Sequence, residues 1–180
     1  LIKTRARGLK LDDTFAFTGS VSGAGGGITV ATSYRISANF ANSADPITSN
    51  WEEVDTDGYG RIGTAVSQSS GIFTMPSTGV YLILANFSLD ENGGGADTSM
   101  HLYINTTTDG TNFAVASEGR ASYASSNARQ GADCAFIFDV TNTSTHKVSF
   151  SVDGIITNNQ TQGSSTQNTS AVHFIRLGDT

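Results

Sequence analysis

Charged side chains are scarce in this chain of 180 residues, where they make up only 14% of the sequence. Soluble domains usually carry about 25%. Gly, Ser, Thr and Asn fill the difference, which indicates an uncharged hydrogen-bonding surface with many turns rather than helices rich in Glu and Lys. This composition is typical of all-β extracellular or virion proteins. The length allows one domain, or one domain with an arm, and a sizeable buried core.

Cysteine is almost absent too, since Cys134 is alone in the sequence. A single cysteine excludes an intrachain disulfide and a cysteine metal cluster. Cys134 lies in an alternating apolar run, so we expect a small buried core residue. No run of eighteen apolar residues occurs, and insertion into a membrane is therefore not expected.

Basic residues are few and unevenly distributed. Residues 1–10 carry a charge of +4, whereas the other 170 residues carry −10. An acidic body argues against nucleic-acid binding, which needs a basic surface. We interpret the basic segment as a solvated or docking tail.

Residues 1–30 are predicted to form an N-terminal docking arm with a glycine-rich linker, and residues 31–180 the folded domain. Residues 19–27 have the composition of a flexible linker. Before them, two phenylalanines alternate in a short β-like segment that could add a strand to a partner's sheet edge. A disordered leader is the alternative. The residues expected to dock are Arg5, Arg7, Phe15 and Phe17.

Residues 71–89 organise the rest of the chain, and they predict a short strand, a tight turn and a long strand. Pro76 lacks a backbone N–H and belongs at a strand end. Gly79 can take the positive φ that a tight turn often needs. Residues 80–89 are almost wholly apolar, which predicts a central strand with both faces buried. We expect one face to contact the core and the other face to contact another subunit.

The pattern Gly71-x-Phe73-x-x-Pro76-x-x-Gly79-x-Tyr81 resembles the strand-turn-strand signature of the globular head of complement subcomponent q. That family is a jelly-roll relative of tumour necrosis factor, and the resemblance covers about residues 32–180. It implies a jelly-roll β-sandwich and a homotrimer whose threefold interface is built from aromatic and aliphatic residues. His173 and Arg176 depart from the family pattern, which puts the packing around the last strand in doubt.

Two faces are predicted for the long strand. Tyr81, Ile83, Ala85 and Phe87 point one way, and Val80, Leu82 and Leu84 point the other way. A thick sandwich core is the alternative to a threefold interface. The residues predicted for the trimer interface or core are Tyr81, Ile83, Phe87, Phe136, Phe138 and Phe174.

Eight to ten short antiparallel strands are predicted in total, with no helical period. Besides the organising stretch, the expected strands are residues 32–40, 61–66, 100–104, 131–140, 147–152 and 170–177. Residues 71–89 and 131–152 are each expected to form a hairpin. Residues 118–129 and 157–167 are polar, and the second of these is the expected exposed tip.

The sequence gives little support for a metal or a catalytic site. His101, His146 and His173 form no metal-ligand motif, so structural histidines are expected and zinc is not. No Gly-x-Ser-x-Gly elbow is present, and we do not expect an enzyme. Asp55 and Asp57 are weak metal candidates. No cofactor is expected otherwise, although calcium stays open because some proteins of the resembling family bind it near the trimer apex.

The prediction for function is a non-enzymatic, homotrimeric virion module, such as a bacteriophage fibre tip, an appendage or a head decoration. Residues 7–23 resemble leader segments in structural proteins of marine bacteriophages. The expected partners are other copies of the chain, other virion proteins through the arm, and a host surface receptor or glycan met by polar loops. The alternative is a secreted or cell-surface bacterial adhesion or carbohydrate-binding module. A tight Ser–His–acid cluster would instead favour a hydrolase.

Overall fold

A computed structural model describes residues 27–93, 96–123 and 129–180, and in these ranges the chain is an all-β sandwich without helices. Within these ranges twelve strands, against the eight to ten predicted, form two antiparallel sheets, in agreement with the predicted jelly roll. The strands are β1 (Ala31–Ile36), β2 (Phe40–Ala41), β3 (Trp51–Glu53), β4 (Ser67–Ser69), β5 (Ile72–Thr74), β6 (Gly79–Asp90), β7 (Asp97–Thr107), β8 (Ala114–Tyr123), β9 (Arg129–Val140), β10 (Lys147–Asp153), β11 (Gln160–Thr161) and β12 (Ala171–Gly178).

The first sheet is built around β6, which pairs with β9 along its whole length on one edge. Its other edge pairs with β12 and, near residue 90, with β11. β12 continues to β1 and β3, and β11 continues to β2. The second sheet has the order β4-β5-β10-β7-β8. The predicted central strand is therefore a central strand of the first sheet.

The two predicted hairpins are wrong in one respect, because their strands lie in different sheets. β5 belongs to the second sheet and β6 to the first, and β9 and β10 are separated in the same way. Each connection therefore passes from one sheet to the other. Alternation identifies the inward side chains of a strand but not the sheet that the strand joins. Gly79 makes the first crossing at a φ of 141°, where a Cβ would lie 2.5 Å from the Gly178 carbonyl oxygen.

The core between the sheets is centred on aromatic rings. Phe73 contacts Trp51, Phe150 and Phe174 at centroid distances of 5.0, 5.4 and 5.2 Å. Phe87 meets Trp51 at 6.2 Å. Phe73, Phe87, Phe150 and Phe174 are fully buried, as alternating inward positions of sandwich strands should be.

Several predicted element boundaries are wrong. Residues 61–66 form no strand and make only an isolated bridge between Ile62 and Ala31. Residues 118–123 belong to β8, although Glu118, Arg120 and Ser122 are exposed, as predicted for this polar segment. Residues 157–167, predicted as an exposed tip, contain β11, and Asn159 and Thr161 within this range are fully buried. Polar composition favours loops, but it does not exclude strand pairing with a neighbour.

The side chain of Arg35 in β1 is completely buried, although a charged residue in an alternating strand usually lies on the solvated face. Segments 52–56 and 165 cover it. It forms ion pairs with Glu52, at 3.2 Å, and with Asp55, and it donates to Thr56 Oγ1 and the Ser165 carbonyl oxygen. Burial alone lowers the pKa of Arg35, but the hydrogen bonds that Arg35 donates to Glu52 and Asp55 outweigh that effect and raise the pKa. Arg35 therefore stays charged and fastens both segments to β1.

Replacing this side chain tests its role. We expect Arg35→Met to lower the free energy of unfolding by about 2–3 kcal/mol, because the partner carboxylates lose a buried cation. Arg61→Met is the control. Its exposed pair with Glu53, at 3.0 Å, should contribute less than about 0.5 kcal/mol. Urea unfolding measures both values, and equal losses would contradict the assignment.

Candidate functional site

An apolar patch lies on the outer face of the first sheet, opposite the core. In the sheet register, Leu82 lies between Ile137 of β9 and Ile175 of β12, and Leu84 lies beside Ala135. These residues, which we call the outer patch, are Leu82, Leu84, Ala135, Ile137 and Ile175. The exposed fraction is 61% for Ile137 and 36% for Leu84. Contiguous apolar residues on a flat sheet face are typical of protein contact surfaces.

Polar groups border the outer patch along the strands. Asp133 and Asn86 lie opposite each other in the next row that points outward, and Asp139 lies beyond the patch at the other end of β9. On the β1 side, the border of the patch is Arg35 together with the segments that cover it. The patch is thus an apolar centre with a polar rim, which is the common anatomy of a protein–protein interface.

His173 lies within this face, beside Leu84 of β6 and Ser33 of β1. Its Nδ1 is 2.8 Å from Ser33 Oγ, and the ring is partly buried. Burial lowers the pKa of His173 from its ordinary value of 6.5. The imidazole is therefore neutral near pH 7, which suits a position among apolar side chains.

The residues predicted for the interface or core lie mainly inside the sandwich of one chain. Tyr81, Ile83, Phe87, Phe138 and Phe174 are buried, with at most 5% exposure, and Phe136 is partly buried. The outer-patch residues alternate with these inward residues along β6, β9 and β12. Leu82 and Leu84 of the outer patch were already assigned to the opposite face by alternation. Alternation also placed Ala135 and Ile137 on a second, partly apolar face of residues 131–140. Ile175 was missed, although it follows the outward-facing His173 by two positions in β12.

Cys134 is only partly buried, although full burial was expected. Burial raises the pKa of its thiol to about 11. The thiol is therefore protonated at neutral pH and is a poor nucleophile.

The structure brings Ser99, His101 and Glu118 together on the outer face of the second sheet, which the sequence could not show. Ser99 Oγ is 2.8 Å from His101 Nε2, and His101 Nδ1 contacts Glu118. This order of contacts is that of a serine hydrolase triad. Arg120 also pairs with Glu118, at 2.9 Å, and is the largest cause of the lowered pKa of that carboxyl. The Ser99 contact is exposed, whereas electrostatic catalysis needs a site closed to water.

The weak metal candidates do not come together as a ligand set. Asp55 pairs with Arg35, and both Asp55 and Asp57 are exposed. Across the ranges that the structure describes, no group of three or more His, Cys, Asp or Glu side chains could hold a metal ion. A cation that neutralises Asp55 makes it a poorer ligand for calcium.

The docking residues Arg5, Arg7, Phe15 and Phe17 lie outside the described residues. The described fold includes Val30, which is 5% exposed and accepts a hydrogen bond from the Arg176 backbone N–H. In the described part of the chain, no helix is long and apolar enough to span a membrane.

No known family model matches the sequence, and no curated protein matches it either. Solved structures do share its fold. A tumour necrosis factor structure, Eiger from S. frugiperda, superposes with a TM-score of 0.62 at 11% identity over 84% of this chain and 94% of that one. Murine APRIL gives 0.58 at 12% identity, covering 82% and 98%. The globular domain of zebrafish complement 1qA gives 0.51 at 15% identity, covering 82% and 96%. These similarities show the fold, and they agree with the resemblance found in residues 71–81.

Lowering the pH should destabilise the fold through His173. A buried imidazole with a lowered pKa binds its proton less well in the folded than in the unfolded chain. The free energy of unfolding should therefore fall as the pH drops below 6.5, until the folded histidine is also protonated. His173→Gln should show a smaller fall between pH 7.5 and pH 5.5 in urea unfolding. An identical fall in both proteins would contradict this cause, since acidic side chains titrate mostly below that range.

Proposed function

We propose that the chain is a homotrimeric, non-enzymatic binding module. The observation that carries the proposal is the outer patch, which leaves Leu84 and Ile137 exposed beside Leu82 and Ile175. A second copy of the chain would remove this surface from water. The neutral His173 within the patch fits burial in such a contact. Similarity in fold to tumour necrosis factor and complement 1q domains, together with the sequence resemblance, favours threefold rather than twofold assembly.

The proposed setting is a virion, as a bacteriophage fibre tip, an appendage or a head decoration. Residues 1–30 would serve as the docking arm to other virion proteins, and support for this comes from the sequence, namely the basic segment and its resemblance to phage leader segments. Polar loops at the far end would meet solvent or a host surface. Three copies would strengthen weak loop contacts through avidity.

An extracellular adhesion or carbohydrate-binding module is the second candidate. A specific observation favours it, because the outer face of the second sheet carries a polar pocket that includes Asp45, Tyr103 and Asp153. This candidate would act outside the cell and would not depend on other virion proteins. Both candidates share the fold and the absence of catalysis, and a monomeric chain would favour the second.

Replacement of Ile137 tests the trimer. Light scattering during gel filtration should give the full chain a mass three times its 18.8 kDa. Ile137→Asp should give one chain mass, because a charge in the centre of a contact surface would be buried without a partner. Ile156→Asp is the matched control, since Ile156 is also exposed but lies in the loop after β10. A monomeric unmodified protein, or an Ile137→Asp trimer, would contradict the proposal.

The non-enzymatic assignment has a direct test at Ser99. A fluorophosphonate probe modifies serines that a neighbouring histidine activates. We expect the probe to modify Ser99 no more in the folded chain than in the heat-denatured chain. The reason is that the serine is exposed and Arg120 competes for Glu118. Mass spectrometry of the intact chain and of Ser99→Ala reads the result. Rapid, stoichiometric labelling that Ser99→Ala abolishes would show an active serine instead.

A further inference from the structure

A pocket of about 510 Å³ lies on the outer face of the second sheet, on the opposite side of the sandwich from the outer patch. Strands β7, β8 and β10 form its floor, and segment 43–45 forms one wall. We call it the β7–β10 pocket. Its volume is in the range of small-molecule sites. The residues that matter for its chemistry are Asp45, Tyr103, Asn105, Val115, Ser151 and Asp153.

The wall is fixed by backbone hydrogen bonds. Ala44 and Val152 donate to each other's carbonyl oxygens, at 2.8 and 2.9 Å, and this places Asp45 beside β10. The position is held before any ligand binds, which lowers the entropic cost of binding.

A relay of buried polar side chains also holds Asp45. Asn105 Nδ2 donates to Ser151 Oγ at 2.7 Å, and Ser151 Oγ donates to Asp45 Oδ1 at 2.5 Å. Asn105 is 7% exposed and Ser151 only 2%, although both point away from the core. Buried polar groups rigidify a site when they are fully satisfied. The relay therefore orients the carboxylate of Asp45, which itself remains exposed.

The pocket combines hydrogen-bonding and apolar groups. Asp45 and Asp153 offer exposed carboxylates that accept hydrogen bonds. Tyr103 lies opposite Ser151 in the sheet register and lines the same pocket, with its ring stacked on His101 at a centroid distance of 5.6 Å. Burial, followed by the charges of Glu118, Asp153 and Asp45, raises the Tyr103 pKa, so the phenol stays a neutral donor. Val115 adds an apolar side chain that is 59% exposed.

The charge of the pocket limits its ligand. Neither Lys, Arg nor His contributes to the described lining, and nearby His101 and Arg120 both pair with Glu118. Two carboxylates would repel a phosphate or a sialic acid. The lining also lacks a third acidic ligand for a metal ion, in line with the search of the described residues. A neutral molecule with several hydroxyl groups and an apolar C–H face fits both kinds of lining group.

We propose that the β7–β10 pocket binds a neutral sugar, such as a hexose or N-acetylhexosamine unit of a surface glycan. Asp45 and Asp153 accept hydrogen bonds from sugar hydroxyls, the Tyr103 hydroxyl donates one, and Val115 contacts the C–H face. This inference deepens the proposed binding function and rests on it for the access of the pocket to a glycan. The site itself lies within one chain.

Saturation-transfer difference NMR on the full chain tests the site with glucose, galactose, mannose and N-acetylglucosamine as probes, each up to about 50 mM. Such concentrations would fill a site whose dissociation constant is about 1 mM. The saturation-transfer signal of at least one neutral probe should rise with its concentration and reach a plateau. N-acetylneuraminic acid should give no such signal. Asp45→Asn and Tyr103→Phe should each raise the dissociation constant at least fivefold. Asp57→Asn, an exposed carboxylate outside the pocket, should leave it unchanged.

The outcomes separate this inference from the proposed trimer. The sugar site would be overturned if no neutral probe gave a saturation-transfer signal. It would also be overturned if both pocket variants kept the dissociation constant of the unmodified protein. Tyr103→Phe keeps the ring and removes only the hydroxyl, so its result does not depend on whether Asp45→Asn folds. Light scattering on the same samples reports the oligomer. A trimer without sugar binding would refute only the pocket, and a sugar-binding monomer would refute only the trimer.

Discussion

The pairing of β6 on both of its edges is the constraint on which the rest of the structure depends. β9 holds one edge over residues 79–90, and β12 and β11 hold the other. This fixes the register of every neighbour, and with it the side chains that share each row. Because successive side chains alternate between faces, one ladder defines both the core and the outer patch. A slip of one residue would exchange Ile83 for Leu82 and destroy both surfaces together.

Buried polar side chains fasten peripheral segments to both sheets. Arg35 is fully buried on β1, where it pairs with two carboxylates and donates hydrogen bonds to two further oxygen atoms. On the second sheet, the relay from Asn105 through Ser151 holds Asp45 of the neighbouring segment. Both cases satisfy buried groups by hydrogen bonds, which is the condition for burying them at tolerable cost. The two outer faces therefore differ in chemistry, one being apolar and flat and the other polar and concave.

This difference supports the proposed binding module over a catalyst. The first sheet presents an apolar surface suited to another protein copy, and the second presents oriented oxygen atoms that remain open to solvent. The contact of Ser99, His101 and Glu118 is arranged in the order of a triad, but Arg120 shares the acid. The same geometry also arises where neighbouring polar side chains on the outer face of two paired strands, here β7 and β8, satisfy each other.

Alternation and turn chemistry alone determined the all-β class, the central position of β6 and the inward faces of β7, β9 and β10. These properties depend on side chains near each other in sequence, which is why one chain is enough to reveal them. The short motif in residues 71–81 indicated the jelly roll through its resemblance to the complement subcomponent q head, and its proline and glycine lie where the chain passes from one sheet to the other. The opposite faces of β6 were visible in the same way.

Only the tertiary structure decided which strands share a sheet, since β5 and β6 alternate equally well as a hairpin or as a crossing between sheets. It also decided that Arg35 is buried, because its partners lie 17 to 130 positions away in sequence. The β7–β10 pocket is likewise assembled from segments near residues 45, 103 and 151. No local pattern records contacts of this kind, because they depend on how separate segments meet in space.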